Sequence, residues 1–330
     1  MEKLRWGVLS TARIATEKVI PGLRRSMLGD LVAIASRNDA SARAAADALA
    51  IPRAHGTYAA LLADPDVDAV YVPLPNHLHA EWAIRALQAG KHVLCEKPIA
   101  LTVADAERMF EAAEASGRLL MEAFMYRHHP TWQALLEVIR SGRLGQVTAV
   151  DSWFSYYLDD PANIRNVLAY GGGALYDVGC YCVNLSRLIF GEEPTDVAAF
   201  MVRDPASGVD ILTSGSLRFP GGLASFTCAT QVETDQRVHV YGTAGRASIE
   251  IPFNIPPTIP TRISVTAGGE PPVAPATEVM EFAPADPYAC EADAFARAVL
   301  AGSPAPVKPA DAIANLRVIE RLFAAAGSRR

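Results

Sequence analysis

An α/β domain followed by an α+β domain is the architecture that the sequence predicts, and three observations predict it. From residue 4 to about residue 122, short apolar runs alternate with alanine-rich helical segments, the pattern of strands feeding crossover helices around a doubly wound parallel sheet. From Val147 onward, β-like runs follow one another through turn signals, as in a large, mostly antiparallel, open sheet accompanied by helices. At 330 residues the chain exceeds one typical core of roughly 100 to 150 residues and suits two. The expected domains are residues 1–124 and 125–330.

In the first part the expected strands are residues 5–9, 31–35, 67–72, 92–95 and 119–121. Helix-favouring segments lie between them, among them 40–49, 79–89 and 103–115. Gly90 and Gly117 stand where two of these helices should stop, because glycine takes left-handed C-terminal geometry without a Cβ penalty. Parallel neighbours need right-handed crossovers, so the carboxyl ends of the strands share one edge, where a ligand is expected. A linking helix near 131–140 leads to strands expected at 148–157, 196–203, 210–219, 223–231 and 237–241, interrupted by a helix over 174–190. Pro220-Gly221-Gly222 and Gly242-Thr243-Ala244-Gly245 read as turns between them. The proline-rich stretch 251–287 predicts loop and edge strand, and helices over 288–301 and 310–325 close the chain.

Composition narrows the function classes. Half of the residues are hydrophobic, enough for packed cores. The formal net charge is −6 and no basic run exists beyond Arg329-Arg330, so no nucleic-acid partner is expected. No uninterrupted apolar stretch reaches the roughly 18 residues of a membrane helix. The first five residues lead straight into a short strand, without the apolar region or cleavage site of a secretory signal. These features predict a soluble, cytoplasmic protein. The five cysteines form an odd set without Cys-x-x-Cys spacing and lie mostly in apolar runs, which predicts reduced thiols.

The first strand runs into Gly7-Val8-Leu9-Ser10-Thr11-Ala12-Arg13-Ile14-Ala15, where a Rossmann dinucleotide loop belongs. Such a loop brings backbone amides to a pyrophosphate and then starts a helix whose dipole favours the anion. Ser10 and Ala12 occupy positions that are usually glycine; their small side chains keep close approach open. An ordinary strand-to-helix turn is the alternative. The second strand ends in Ala35-Ser36-Arg37-Asn38. An acidic residue there would accept from a ribose hydroxyl and repel a 2′-phosphate, whereas Arg37 pairs with that phosphate and Ser36 donates to it. The expected cofactor is therefore NADP, with Asp39 leaving room for dual specificity.

The fifth strand ends in Val93-Leu94-Cys95-Glu96-Lys97-Pro98. Lys97 stands at the ligand-binding edge, and Pro98 restrains the residue before it. A lysine partly desolvated beside a nicotinamide has a lowered pKa and exchanges a proton with, or donates to, a substrate oxygen, with Glu96 as its orienting partner. The segment resembles the Glu-Lys-Pro motif of the glucose–fructose oxidoreductase, inositol dehydrogenase and rhizopine-catabolism family, Gfo/Idh/MocA. The modified glycine loop, Leu74-Pro75-Asn76-His77-Leu78-His79, the run Gly171-Gly172-Gly173-Ala174-Leu175-Tyr176-Asp177-Val178-Gly179-Cys180-Tyr181 and the overall length agree with it. The resemblance covers almost the whole chain. It implies that Leu74, Pro75, Asn76 and His79 lie beside the nicotinamide; a helix cap at Asn76 and a surface histidine at His79 are the plain alternatives. His77 and His79 have no third residue at metal-ligand spacing, so no metal is expected.

Asp177 and Tyr181 are four apart at the start of a helix, which puts both on one face, and the glycine run before them permits unusual backbone angles. Tyr and Lys both titrate near pKa 10 when unperturbed, so either must be shifted to work as a base near neutral pH. Which of Lys97 and Tyr181 carries the proton is open at this level. Arg127, Trp153, Tyr156 and Arg165 are the aromatic and cationic types that bind sugar rings and hydroxyls, although Trp153 and Tyr156 also suit sheet packing.

The resemblance implies reversible hydride transfer between NADP and a hydroxyl- or carbonyl-bearing carbon of a sugar or polyol, nearest to the NADP-dependent D-xylose 1-dehydrogenase and dimeric dihydrodiol dehydrogenase branch. Trans-dihydrodiol dehydrogenase and nucleotide-sugar 3-ketoreductase activities use the same residues. An NADP(H)-sensing regulator is the reading from another class, and it has no need of Lys97, Asp177 and Tyr181 together. An open antiparallel sheet has one face to cover, and relatives pair through it, which implies a homodimer or dimer of dimers.

Overall fold

A computed structural model of the chain describes residues 3–268 and 276–327. The chain forms two compact units, residues 1–128 with 286–313, and residues 129–285 with 314–330. The matching of elements to units therefore differs from a single boundary after residue 124, because residues 286–313 return to the first unit.

In the first unit the strands are β1 (Leu4–Leu9), β2 (Gly29–Ala35), β3 (Arg53–His55), β4 (Ala69–Val72), β5 (His92–Glu96) and β6 (Leu120–Ala123). All pair in parallel, in the order β3-β2-β1-β4-β5-β6. The order reverses between β1 and β4, the crevice where doubly wound sheets bind ligands. β3 is the strand that the sequence did not predict; three half-buried residues carry too little apolar signal. The helices are α1 (Ile20–Arg25), α2 (Asp39–Ala48), α3 (Tyr58–Leu62), α4 (His79–Gln88) and α5 (Val103–Ser116), and α1 continues a π-helical turn, Ala15–Val19. Asn38, Thr57 and Thr102 cap α2, α3 and α5 by accepting backbone N–H groups. Gly117 ends α5 at φ 64°, the left-handed stop expected of it.

Helix α8 (Pro287–Leu300) belongs to this unit for physical reasons. Phe295 meets Trp6 at a ring distance of 5.4 Å, and both rings are fully buried. Asp286 caps α8 through the Tyr288 N–H and pairs with Arg25 at 2.7 Å. Gly22 leaves room for Tyr288, whose Cβ would lie 2.5 Å from any Cβ added there.

In the second unit α6 (Pro130–Arg140) precedes β7 (Val147–Tyr157), a π-helical turn at Leu175–Gly179 leads into α7 (Cys180–Phe190), and β8 (Asp196–Arg203), β9 (Asp210–Phe219), β10 (Gly222–Ala229), β11 (Gln231–Gly242), β12 (Gly245–Ile249), β13 (Thr261–Ala267) and β14 (Thr277–Phe282) follow. The sheet order is β14-β13-β12-β11-β7-β10-β9-β8, antiparallel except between β7 and β10. The proline-rich stretch is more regular than its composition suggests. Within that stretch β13 is paired on both sides and β14 is one edge of the sheet; residues 269–275 lie outside the described residues. α9 (Pro309–Gly327) ends the described chain.

Register divides the faces of this sheet. Phe200, Ser214, Thr227, Trp153 and Arg237 stand opposite one another in successive strands and so share one face. Phe226, Phe154 and Val238, one position along, point to the other and are buried. The first face is open: Phe200 is 67 % exposed, and Val202, Leu223, Tyr241 and Val279 are exposed on it too.

Candidate active site

Four of the loops that leave the carboxyl edge of the first unit's sheet carry the candidate residues. After β1 the chain turns through Ser10, Thr11 and Ala12, and helical geometry begins at Arg13. Ser10 has φ 144°, a conformation that favours glycine, and its Oγ accepts the Ala12 N–H at 2.9 Å. Serine thus stands in a glycine's conformation and orders the loop with its own hydroxyl. Ile14 packs into the apolar core, while Arg13 lies outside and pairs with Glu17. After β2, Ser36 is buried and Arg37 is exposed. Asn38 spends its carbonyl on capping α2, accepting from Ser41 N at 2.8 Å. Asp39 is turned to Arg43 at 2.6 Å, so its carboxylate is committed there rather than to Arg37.

After β4, Leu74 and Pro75 lead to a single 3₁₀ turn, Asn76–Leu78, and then to α4. Asn76 is half-buried. His79 has no exposed surface; its Nδ1 lies 2.9 Å from the Pro98 carbonyl and its Nε2 2.7 Å from the Leu74 carbonyl. Both ring nitrogens are therefore engaged by backbone, a different role from the direct cofactor contact expected of His79. Burial lowers its pKa to about 4, against the two carbonyl contacts that raise it.

The Lys97 loop follows β5, with a cis Lys97–Pro98 peptide. Tyr71, fully buried on β4, donates to Glu96 Oε1 at 2.6 Å, and Glu96 Oε2 accepts the Lys97 N–H at 3.2 Å. Glu122, buried on β6, accepts the Ile99 N–H at 2.8 Å. With His79 at Pro98, each residue from 97 to 99 has its backbone tied to a side chain. Burial and the Glu96 carboxylate push the Tyr71 phenol well above its ordinary pKa, so it stays a donor to Glu96. Arg127, at the end of this unit's sequence-continuous part, forms an ion pair with Asp311.

In the second unit the polar cluster is centred on Asp177. Tyr156 donates to Asp177 Oδ2, and Arg165 Nε donates to the same oxygen at 3.0 Å. Burial, then the Asp177 charge, raise the Tyr156 pKa, which keeps the phenol protonated and donating. Tyr181 lies one turn after Asp177, buried against Phe154 and Phe253 at ring distances of 5.5 and 5.4 Å. The structure thus brings together Tyr156, Arg165 and Asp177. Trp153 is elsewhere: it lies on the open face of the sheet, donates to Ser155 and carries the Arg237 guanidinium at 5.1 Å over its ring.

The glycine run has a use that sequence alone did not reveal. Gly172 lies where a Cβ would collide with the Arg165 carbonyl, and a Cβ on Gly173, at φ 116°, would collide with Asp210. The close approach is made by the protein's own chain. Asp210, only 1 % exposed, accepts the Leu175 N–H at 2.8 Å and the Thr213 hydroxyl at 2.7 Å, and so caps the helical run bearing Asp177 and Tyr181. A single acidic residue opening an apolar strand, in Val209-Asp210-Ile211-Leu212, was its only sequence signal. Tyr71 and Glu122 were missed too, since buried partners of a backbone loop look like ordinary strand residues. Among the described residues no group of three or more His, Cys, Asp or Glu is arranged to hold a metal ion, no disulfide forms, and no helix is long and apolar enough to cross a membrane.

A switch-point crevice, a dinucleotide-type loop and a strand-end lysine define an oxidoreductase with a nicotinamide-type Rossmann domain. Residues 4–124 match the model of an oxidoreductase family with an NAD-binding Rossmann fold, and residues 132–248 match the GFO/IDH/MocA C-terminal domain. The chain belongs to the Gfo/Idh/MocA oxidoreductase family. D-xylose 1-dehydrogenase (NADP(+)) 2 of Haloferax volcanii is 39% identical over 98% of this chain and 97% of its own. A 3-ketoreductase from Actinomadura kijaniata, solved in complex with NADP and TDP-benzene, is similar at a TM-score of 0.90 and 31% identity over 98% of each chain. An aldose-aldose oxidoreductase from Caulobacter crescentus, complexed with glycerol, gives a TM-score of 0.91 at 31% identity over 100% of this chain and 99% of that one.

Asp210 supplies a pH test. Burial raises its carboxyl from 3.8 to about 6, against the Thr213 and Leu175 hydrogen bonds and the Arg203 charge, which lower it. A folded-state value above the unfolded one favours the protonated native form, so this stabilisation is complete below about pH 4 and is lost as pH rises through about 6. Relative to Asp210→Asn, which has no charge to gain, the wild-type melting temperature should fall between about pH 4 and 7 and level off above. A constant difference across that range would show that Asp210 does not titrate there.

Proposed function

We propose that this protein is an NADP-dependent oxidoreductase that moves a hydride to or from a hydroxyl- or carbonyl-bearing carbon of a sugar or polyol, with D-xylose 1-dehydrogenase chemistry as the leading case. The observation that carries the reading is the Lys97 loop, whose backbone is tied residue by residue to buried side chains at the carboxyl edge of the sheet. A lysine with only a solvated surface role needs no such tethering. The first unit is the NADP-binding domain in this reading, and the second binds substrate and forms the oligomer.

The residues at the end of β2 suit NADP. Ser36 and Arg37 offer a hydroxyl and a guanidinium to a 2′-phosphate, and Asp39, which would repel it, is paired with Arg43. Ser10, Thr11, Ala12, Arg13 and Ile14 form the pyrophosphate turn, Asn38 shapes the ribose end by capping α2, and Leu74, Pro75 and Asn76 flank the nicotinamide. When bound, the nicotinamide supplies the hydride acceptor or donor.

The chain's own residues handle the proton and the substrate. Oxidation of an alcohol releases the hydroxyl proton as the carbon loses hydride, and Lys97 Nζ and Tyr181 Oη are the groups that exchange it. Asp177 orients the hydroxyl, and its carboxylate is itself aimed by Tyr156 and Arg165. The likeness to a 3-ketoreductase solved with TDP-benzene supports a second reading, reduction of a nucleotide-linked ketosugar by the same groups. The open sheet face with its exposed apolar side chains supports a homodimer.

Three measurements test this. On a panel of aldoses, dihydrodiols and ketosugars followed by reduced-cofactor absorbance, Lys97→Met should lower kcat on the active substrate by about 10²- to 10⁴-fold; intact turnover removes Lys97 from the chemistry, and NADPH binding without any turnover in wild type favours a sensor. Arg37→Asp should weaken NADPH binding by about tenfold or more while sparing NADH, and equal wild-type affinities for the two cofactors would overturn the NADP assignment. Light scattering should report a dimer or a dimer of dimers that Phe200→Asp dissociates; a wild-type monomer ends the dimer proposal.

A further inference from the structure

We propose that His79 is a positioning residue that couples the Lys97 loop to the Asn76 turn through backbone carbonyls, setting turnover through Pro98 and cofactor affinity through Leu74. The inference rests on the reading of Lys97 as the proton-exchanging residue. His79 begins α4, has no exposed surface, and lies between two loops that leave neighbouring strands, β4 and β5. Its Nδ1 meets the carbonyl of Pro98, the residue after Lys97, and its Nε2 meets the carbonyl of Leu74, two residues before Asn76. No ring nitrogen remains for a ligand, so the side chain acts through the backbone it holds.

The charge state sharpens the geometry. Both carbonyls receive an N–H together only from an imidazolium, because a neutral ring has a single N–H. Burial opposes that charge, as do the fields of Lys97 and His77, and the pKa falls to about 4. At neutral pH the ring is an uncharged strut with one proton for two acceptors. Neither loop is held by a strong charge, and the two carbonyls compete for the one N–H, so the position of that proton links the two loops.

Two substitutions separate the two contacts. The Asn amide nitrogen falls near the place of His Nδ1, and the Gln amide nitrogen near that of His Nε2. His79→Asn therefore leaves a donor only at Pro98, and His79→Gln leaves one only at Leu74, so each variant fixes the choice that the ring's single proton shares between them. We expect His79→Gln to lower kcat about 10- to 100-fold, the scale of a displaced catalytic group, with NADPH affinity within about threefold. His79→Asn should keep kcat within about threefold and weaken NADPH binding about five- to tenfold. A purely structural histidine would shift both quantities together in both variants, and that result, or no change in either, overturns the inference.

Lys97→Met separates this outcome from the parent reading. If Lys97→Met is inactive while the two His79 variants behave alike, only the coupling fails; if Lys97→Met is fully active, the parent reading fails. Should a His79 variant not fold, histidine-labelled wild type is decisive by ¹⁵N NMR: a neutral ring with a solvent-protected N–H supports the strut, and an exchanging or solvent-exposed ring removes it.

Discussion

Three backbone groups in a row, at Lys97, Pro98 and Ile99, must find partners away from bulk water, and the design of the first unit's ligand edge follows from how they find them. A buried backbone group left unmatched costs about 1–3 kcal/mol. β5 ends at Glu96, so the ladder offers nothing beyond it. Side chains from three directions take over: Glu96, itself held by Tyr71 of β4, Glu122 of β6, and His79 of α4. Each is polar, and Tyr71, Glu122 and His79 are among the most deeply buried residues in the unit. Such a buried polar network is stable only when its members satisfy one another. Its effect is to hand a lysine to the sheet edge on a backbone that has lost its freedom.

The second unit solves a parallel problem with different residues. The helical run bearing Asp177 and Tyr181 starts with backbone donors that no preceding turn satisfies. Asp210 reaches them from β9, and glycine is needed at 173 because the Asp210 carboxylate stands where a side chain would begin. Gly172 brings the Arg165 backbone equally close, and the Arg165 side chain then returns to Asp177. Glycines, buried acid and cationic side chain form one construction. Asp177 is consequently placed by the chain on both sides, through its helix and through its carboxylate.

Much of this was legible in the sequence, and what was not has a common cause. Alternating strands and helices, the stops at Gly90 and Gly117, the strand-end position of Lys97 and the open second sheet follow from local composition and period. Tyr156 and Arg165 were named from residue type and Asp177 from its spacing to Tyr181, and the three meet. Trp153 was named from residue type too, but period-two alternation puts it on the opposite face from Tyr156, three residues along β7. Asn38 and His79 were read as ligand contacts, whereas the structure uses the Asn38 carbonyl for a helix cap and both His79 nitrogens for carbonyls. Asp210 and Glu122 act across tens of residues of sequence on backbone groups, which carry no side-chain signature, and Tyr71 acts as remotely on the Glu96 carboxylate that holds another. Propensity and spacing report what a residue does to its neighbours along the chain; they are silent about the backbone atom that it holds from afar.

Cofactor choice illustrates how a short-range contact decides the meaning of a motif. Read in sequence, Ser36-Arg37-Asn38-Asp39 favours a 2′-phosphate through its hydroxyl and cation, with Asp39 leaving room for a ribose hydroxyl. In the fold Asp39 stands in the first turn of α2, where its own dipole favours an anion and Arg43 lies one turn on. The pair closes at 2.6 Å, and the anion is spent on its own helix. Arg37, ahead of the cap and exposed, keeps its positive field at the strand end. Asp39 thus strengthens the case for a phosphate there rather than weakening it, because the helix that it stabilises is the one that fixes where Arg37 begins.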